Sequence, residues 1–470
     1  MSTQESTAPT TTGARAPRPR AARSRAAREK APRISVIGTG YLGATHAVAM
    51  STLGFEVMGV DTDRSKVDAL ALGKVPFYEP GLDELLAEQL ESGRLTFTAD
   101  LSRAAGWADV HFVCVGTPQR RTSHAADLRY VEAAVSGVAQ HLTHDALIVG
   151  KSTVPVGTAA RLRGMIQPLV RPGLDVELVW NPEFLREGKA VHDTLHPDRI
   201  VVGGASQPAE QLLRRVYAQP LSEGTPFVAA DLPTAELVKV SANAFLATKI
   251  SFINAIAGVC DKAGADVTVL ADALGHDTRI GRQFLDAGLG FGGGCLPKDI
   301  RALMHRAREL GADRAASLMQ EVDEINMAQR ERVIAMALEA CGGSVLNRRV
   351  AVLGAAFKPR TDDVRDSPAL NVAAALHLRG AQVSVYDPVA GDPARRTYPT
   401  LAYATSVDEC VEDADVVLVL TEWDDFLRSD PAELASRTAT PRIIDARGRL
   451  DPVTWRAAGW EFTGLGRAAA

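Results

Sequence analysis

Ile34-Ser35-Val36-Ile37-Gly38-Thr39-Gly40-Tyr41-Leu42-Gly43 joins a short β-branched run to three spaced glycines, and an apolar stretch continues through Met50. The run suits a buried parallel strand and the stretch after it a helix. In a strand–turn–helix unit of this kind, one glycine permits the tight bend, one lets backbone approach a pyrophosphate, and one allows close helix–sheet packing. The helix N-terminus then faces the phosphates. A second strand, Glu56 to Val60, ends in Asp61, about 20 residues past the glycines, where a dinucleotide fold needs a carboxylate for the ribose hydroxyls. That carboxylate repels a 2′-phosphate, so NAD is expected over NADP, with Lys66 close to the same site.

Working outward, further strands are predicted at Val110 to Val115 and Leu147 to Val149, with helical segments between them. Two strand ends, Val115-Gly116-Thr117-Pro118 and Lys151-Ser152-Thr153-Val154-Pro155, put small and hydroxyl residues at the edge where ligands bind in open α/β sheets. Thr117 and Thr153 are therefore candidate cofactor contacts, or helix caps, or both. The middle reads as helical, over about Pro233 to Ala263 and Arg314 to Ala340. A second alternation starts at Val350 and runs through Val383 to Pro388, Val416 to Leu420 and Ile443 to Asp445. The fold class expected is α/β: two Rossmann-like parallel-sheet domains joined by a central helical segment. The boundaries are a tail over 1–32, an NAD-binding part over 33–230, a central helical part over 231–340 and a second Rossmann-like part over 341–470.

At 470 residues and 46% hydrophobic content, the chain is long enough for two or three cores. A formal net charge of -5 gives no overall basic surface, which argues against a nucleic-acid partner and for small metabolites. The five cysteines (Cys114, Cys260, Cys295, Cys341, Cys410) are scattered without metal-ligand spacing. No metal is expected, and reduced thiols in a cytoplasmic setting are. No continuous run of about 18 apolar residues marks a membrane span. The first thirty or so residues, rich in Ala, Arg, Thr and Pro, hold too few large apolar side chains to offset ordering entropy, and are expected to be a disordered tail.

The most informative loop is Gly290-Phe291-Gly292-Gly293-Gly294-Cys295-Leu296-Pro297-Lys298-Asp299. Four glycines in five positions fit a loop whose backbone lies against a ligand. Pro297 suits the first turn of a helix, which puts Cys295 just before a helix N-terminus with Lys298 nearby. Both features lower a thiol pKa and favour a nucleophilic thiolate. Cys114 and Cys260, on predicted strand and helix, read as packing residues. Lys239 and Asn243 lie four apart on one face of the long helix. A lysine there either reaches to water or, beside an amide donor, stabilises an oxyanion formed when Cys295 attacks a carbonyl.

The chain resembles the UDP-glucose/GDP-mannose dehydrogenase family from about Arg33 to its end. The resemblance is carried by GTGYLG, YEPGLDELL from Tyr78, VGTP from Val115, KSTVPVGT from Lys151, NPEFLREG from Asn181, ELVKVSANAFLA from Glu236, RIGRQFLDAGLGFGGGCLPKD from Arg279 and FKPRTDDVRDSP from Phe357. It implies an NAD-binding Rossmann domain, a helical dimerisation segment, a Rossmann-like domain for the nucleotide, and oxidation of a sugar C6 alcohol to a carboxylate with two NAD through a thioester on Cys295. At matching positions, Lys239 and Asn243 would steady oxyanions, Asp299 and Thr153 would hold the water, and Glu183 would be the general base. Gly38, Gly40, Tyr41, Leu42, Gly43, Asp61, Lys66, Thr117, Thr153, Glu187, Lys298 and Arg365 would form the cofactor site. The sugar nucleotide would lie against Glu183, Phe184, Leu185, Lys239, Asn243, the segment Phe284, Leu285, Asp286, Ala287 and Gly288, and Gly292, Lys358 and Arg447.

Two departures from the family pattern stand out. Ala446 replaces the glycine before Arg447, which weakens that carry-over, and the loop Gln119 to Ala126, with Arg120 and Arg121, replaces a short Asp-Gly-Ser connection. Arg279 would reach substrate across a homodimer boundary. NPEFLREG with PDRIVVGG from Pro197 leans toward UDP-glucose, oxidised to UDP-glucuronate, with GDP-mannose or a UDP-N-acetylhexosamine as the alternative. A two-electron hydroxy-acid dehydrogenase would leave Cys295 and the third domain without a role. A non-catalytic nucleotide-sugar sensor would not need Cys295, Lys239, Asn243 and Asp299 together.

Overall fold

The β-branched runs become strands wherever both faces are covered. The computed structural model describes residues 31–120 and 123–467, so the tail expected over 1–32 lies, up to residue 30, outside the described residues, as does Arg121. The first sheet holds β1 (Ile34–Ile37), β2 (Val57–Val60), β3 (Leu95–Thr98), β4 (Val110–Val113), β5 (Ala146–Gly150), β6 (Val176–Trp180), β7 (Ile200–Gly203) and β8 (Phe227–Ala230). Its order is β3-β2-β1-β4-β5-β6-β7-β8. The first six strands follow the 3-2-1-4-5-6 order of a dinucleotide fold, whose switch point lies between β1 and β4. Sequence reading expected a parallel sheet; β6 and β7 in fact pair antiparallel, through Trp180 and Gly203, so β7 and β8 extend it in the opposite direction. Strand direction is set by the connection and leaves no mark on the strand's own residues.

The second sheet holds β9 (Arg349–Leu353), β10 (Gln382–Tyr386), β11 (Ala402–Tyr403), β12 (Val416–Val419), β13 (Arg442–Asp445) and β14 (Glu461–Gly464), all parallel, in the order β11-β10-β9-β12-β13-β14. This is the 3-2-1-4-5-6 order again. Asp387, one residue past β10, stands where Asp61 stands past β2. Its Oδ2 accepts from Ala355 N at 2.8 Å, Ala356 N at 2.9 Å and the Trp423 indole at 3.1 Å, and its Oδ1 from Val389 N and Ala390 N. The second sheet has turned its carboxylate inward to hold its own turn.

Four helices matter here: α1 (Tyr41–Thr52), between β1 and β2 of the first sheet, and, in sequence between the two sheets, α2 (Leu232–Ala263), α3 (Leu296–Glu309) and α4 (Asp313–Ala340). Asp231 caps α2 by accepting from Thr234 N, and Gly264, at φ +70, ends it in the left-handed conformation. The search for apolar runs predicted no spanning helix, yet α2 is long and apolar enough to cross a membrane by length and composition. Its apolar stretch is 44% buried; Glu236, Lys239 and Asn243 are buried on it, and it packs on α3, α4 and β7.

Candidate active site

The glycine turn shows three separate roles. Gly38 has φ +89, and a Cβ there would meet Val115 at 2.8 Å; Gly43 could not carry one, because it would fall 1.8 Å from the Gly38 carbonyl oxygen. Around Gly40 a Cβ would meet nothing within 4 Å, which leaves the backbone beside the α1 N-terminus open to a ligand. Asp61 Oδ2 accepts from Thr39 N at 2.9 Å and Thr39 Oγ1 at 3.2 Å, and Lys66 Nζ lies 4.0 Å away. The open face at Gly40 and the carboxylate at Asp61 fit a dinucleotide with a free ribose diol. Leu42 follows in the first turn of α1, and the Tyr41 hydroxyl bonds Glu79.

Glu79 was not singled out by sequence reading. Its carboxylate accepts from Gly188 N and Ala190 N at 2.7 Å each, so it fixes the loop after Glu187 to the start of α1. The sequence signal was the YEPG turn that opens the helix at Leu82, where Gly81 has φ +77.

Cys295 is the N-cap residue of α3, and Pro297 sits in the first turn, as predicted. It is the one exposed cysteine of the five. Its ionisation differs from expectation. The thiol is pushed up to about 11, first by the protein that crowds it on every side but its open one, then by the carboxylates of Asp299, Glu183 and Glu187, with Lys239 opposing them. Lys298, expected to lower the thiol pKa, donates to Asp299 Oδ1 at 2.6 Å and reaches Thr117 Oγ1 at 3.5 Å. In the free protein the thiol is neutral at pH 7.

The glycines before Cys295 also have a different reason from the one expected. A Cβ on Gly292 would fall 2.3 Å from the Asp366 carbonyl oxygen, one on Gly293 2.8 Å from the Phe357 ring, and one on Gly294 2.3 Å from the Arg365 guanidinium. The loop lies against the segment after β9, which brings 357–368 to Cys295.

Around Cys295 the structure assembles most of the predicted set. Lys239 Nζ lies 3.1 Å from Glu183 Oε1. Burial opposes its charge, but Glu183, Cys295 and Asp299 outweigh it and hold Lys239 above the ordinary lysine value. Asn243 Nδ2 donates to Asp299 Oδ2 at 2.7 Å. Thr153, Lys298 and Asp299 line one recess. Thr117 donates to the Thr153 carbonyl at 2.8 Å, and the next helix is capped at Gly157, so neither threonine caps a helix. That cap is made from α2: Glu236 accepts from Gly157 N and Ala159 N at 2.7 and 2.6 Å, one turn before Lys239. Phe184 lies under the Arg199 guanidinium, 3.8 Å from its ring, and within 5.6 Å of Lys239 Nζ.

Glu187 ties the second sheet to this centre. Its carbonyl accepts from Lys358 Nζ at 2.7 Å, and its carboxylate pairs with Arg365 at 3.3 Å. Burial and Asp363 push Glu187 up to about 7, against Arg365 and Lys358.

Other predicted residues stand differently. The Leu285 side chain is core, packed with Ile253, Ala257 and Val267, so only its backbone is available to a ligand. Phe284 adopts φ +65, a strained conformation for a bulky residue. Asp286 pairs with Arg282 at 2.8 Å, and Gly288 N donates to Asn254 Oδ1, next to Ala287. Leu185 donates its N–H to Glu183 Oε2 at 2.7 Å. Arg447, expected to meet phosphate or sugar, donates to the carbonyls of Leu420, Gly290 and Phe357 and so joins the cysteine loop to the second sheet. Arg279 is 87% exposed and pairs with Asp277, with no contact to the Cys295 cluster within this chain.

Comparison with known proteins gives the family. Three family models match in order: the UDP-glucose/GDP-mannose dehydrogenase family NAD binding domain over 32–221, central domain over 233–328 and UDP binding domain over 351–452. A UDP-glucose 6-dehydrogenase of Bacillus subtilis (strain 168) is 41% identical over 93% of each chain. One of Rhizobium meliloti (strain 1021) is 42% identical over 92% of this chain and 99% of its own. The solved structure of a UDP-glucose dehydrogenase from Pyrobaculum islandicum superposes with a TM-score of 0.85 at 37% identity, over 93% of this chain and 98% of the other. The cofactor of the first sheet is NAD and the ligand of the second a UDP-sugar. This chain belongs to the UDP-glucose/GDP-mannose dehydrogenase family.

Proposed function

We propose that the protein is a UDP-glucose 6-dehydrogenase that converts the C6 alcohol to a carboxylate in four electrons, with Cys295 as the covalent nucleophile. The observation that carries this reading is an exposed cysteine on the α3 N-cap, within the charges of Lys239, Asp299, Glu183 and Glu187. Gly38, Gly40, Gly43 and Asp61 would hold NAD along the glycine turn, and two NAD molecules bound there in succession would each accept one hydride.

The alcohol first loses a hydride and a proton and becomes an aldehyde. Cys295 Sγ then forms a bond to C6, its proton passes to the former carbonyl oxygen, and Lys239 and Asn243 stabilise the negative charge that gathers on that oxygen. Loss of a second hydride and a proton leaves a thioester. Water held by Thr153 and Asp299 gives a proton to Glu183, its oxygen bonds C6, the C–S bond breaks, and the thiol is restored as carboxylate product leaves. Because the thiol starts neutral, attack needs a proton acceptor, and Asp299 and Glu183 are the carboxylates whose charges bear most on it. Lys298, Glu187 and Arg365 contact cofactor in this reading, and Phe184, Leu185, the backbone over Phe284–Gly288, Gly292 and Lys358 line the sugar nucleotide.

The central helices are read as a dimerisation segment, through which Arg279 reaches the partner's site, within the division 33–230, 231–340 and 341–470. Five free, scattered cysteines favour the cytoplasm. The test is NADH absorbance with UDP-glucose, GDP-mannose and UDP-N-acetylmannosamine side by side, with Cys295→Ala as control. UDP-glucose is expected to turn over fastest, and Cys295→Ala to bind both ligands without turnover. An active Cys295→Ala, or a preference for GDP-mannose, would overturn the reading.

A further inference from the structure

Lys151, the residue after β5, is 6% exposed. Its ammonium donates to the Asn181 carbonyl at 3.3 Å, to Asn181 Oδ1 at 3.1 Å and to the Tyr217 oxygen at 3.4 Å. It also lies over the Phe112 ring at 5.7 Å. Among the described residues no carboxylate pairs with it directly. Burial, helped by Lys239, brings it down to about 8, against Cys114 and Glu183, so it is still a cation at pH 7. An unpaired buried ammonium is costly, and an uncharged chain of the same length would fill the space for less. Packing therefore does not explain the charge.

The hydrogen bonds locate its use. Asn181 is also held by Tyr217 OH on Oδ1 at 2.6 Å, by its own Nδ2 on the Val201 carbonyl at 2.8 Å and by its N–H on the Gly150 carbonyl at 2.8 Å. Lys151 stands two residues before Thr153 at the end of β5, and Asn181 two residues before Glu183 at the end of β6. The Lys151–Asn181 bonds join the two strand ends that carry the hydroxyl and the carboxylate assigned to the attacking water.

We propose that Lys151 is a positioning residue for thioester hydrolysis, holding Thr153 and Glu183 at the separation the water needs by fixing Asn181 across the ends of β5 and β6. The inference rests on the thioester route set out above. It predicts a selective defect: both oxidations run, and only the release of Cys295 slows. A residue that merely supported the fold would lower every step, or substrate binding, together.

The experiment mixes the full-length enzyme rapidly with NAD and UDP-glucose, follows NADH, and measures the intact mass of acid-quenched protein. Lys151→Met is expected to give a burst of about two NADH per active site, then a steady rate lowered by about tenfold or more, with a sugar-nucleotide adduct on Cys295 and kcat/KM within about twofold of the parent. Tyr217→Phe, which removes only a hydroxyl, should show the same pattern at roughly two- to fivefold and carries the test if Lys151→Met does not fold. A normal steady rate in the folded variant, or a slow rate without burst or adduct, overturns the proposal. Unmutated enzyme that yields one NADH per sugar would instead sink the thioester route itself.

Discussion

Gly40 and Gly43 lie three residues apart in one turn, and the structure assigns them opposite consequences. At Gly43 an added Cβ would sit 1.8 Å from the Gly38 carbonyl oxygen and 3.1 Å from Cys114 Cβ. No side-chain rotation relieves a clash with backbone, so α1 must lift from β1, at a cost of about 3 kcal/mol or more. At Gly40 the backbone is extended, φ -70 and ψ -166, and a Cβ meets nothing within 4 Å. Gly40→Ala should leave stability unchanged or raise it by about 0.4–1 kcal/mol through the unfolded chain. It fills the space kept for the pyrophosphate, where one lost charge-assisted hydrogen bond is worth about 1.5–3 kcal/mol. The expected loss of NAD affinity is therefore on the order of ten- to a hundredfold. Urea unfolding and NAD calorimetry on both variants separate the effects. Gly40→Ala that binds NAD as the parent does, or Gly43→Ala of parental stability, would refute the reasoning.

Three further outcomes follow from the site. Because the Cys295 thiol lies at about 11, only roughly one in ten thousand is ionised at pH 7. Its alkylation by iodoacetamide in the free enzyme should rise about tenfold per pH unit up to that value, and a plateau by pH 8 would contradict the assigned environment. Lys239→Met leaves Glu183 without its ion partner and should cost about 3–5 kcal/mol in urea unfolding, most of it regained on adding Glu183→Gln; a single variant as stable as the parent would disprove the pairing. Asp61→Ala removes the acceptor and the repulsion of a 2′-phosphate while Lys66 remains, so the NADP-to-NAD ratio of kcat/KM should rise; an unchanged ratio would mean that Asp61 does not face the ribose.

What was legible in the sequence was mostly local. The run from Ile34 through Gly43 encodes strand, turn and helix within ten residues, and all three formed. Pro297 likewise marks the first turn of α3. What stayed hidden came from contacts between distant segments. The glycines at 292–294 were read as facing a ligand, but the atoms that forbid a Cβ belong to Phe357, Arg365 and Asp366, brought in by the second sheet. The Cys295 environment was misjudged for the same reason: two of the carboxylates that raise its pKa, Glu183 and Glu187, come from the end of β6. The carbonyl partners of Arg447, which the family resemblance placed at phosphate or sugar, are visible only once the sheets meet. β3, β6, β7, β8, β11 and β14 were not predicted: β3 and β14 are short edge strands with one face exposed, whose residues alternate instead of forming a β-branched run, whereas β6 and β7 lie inside the sheet and β7 is a buried β-branched run like those that were predicted.

The central claim is that one sulfur carries the sugar through two successive oxidations. Counting NADH formed per UDP-glucose consumed, with limiting sugar and excess NAD, tests it most directly. About two are expected, with carboxylate as the only product. One NADH per sugar, with free aldehyde accumulating, would contradict it.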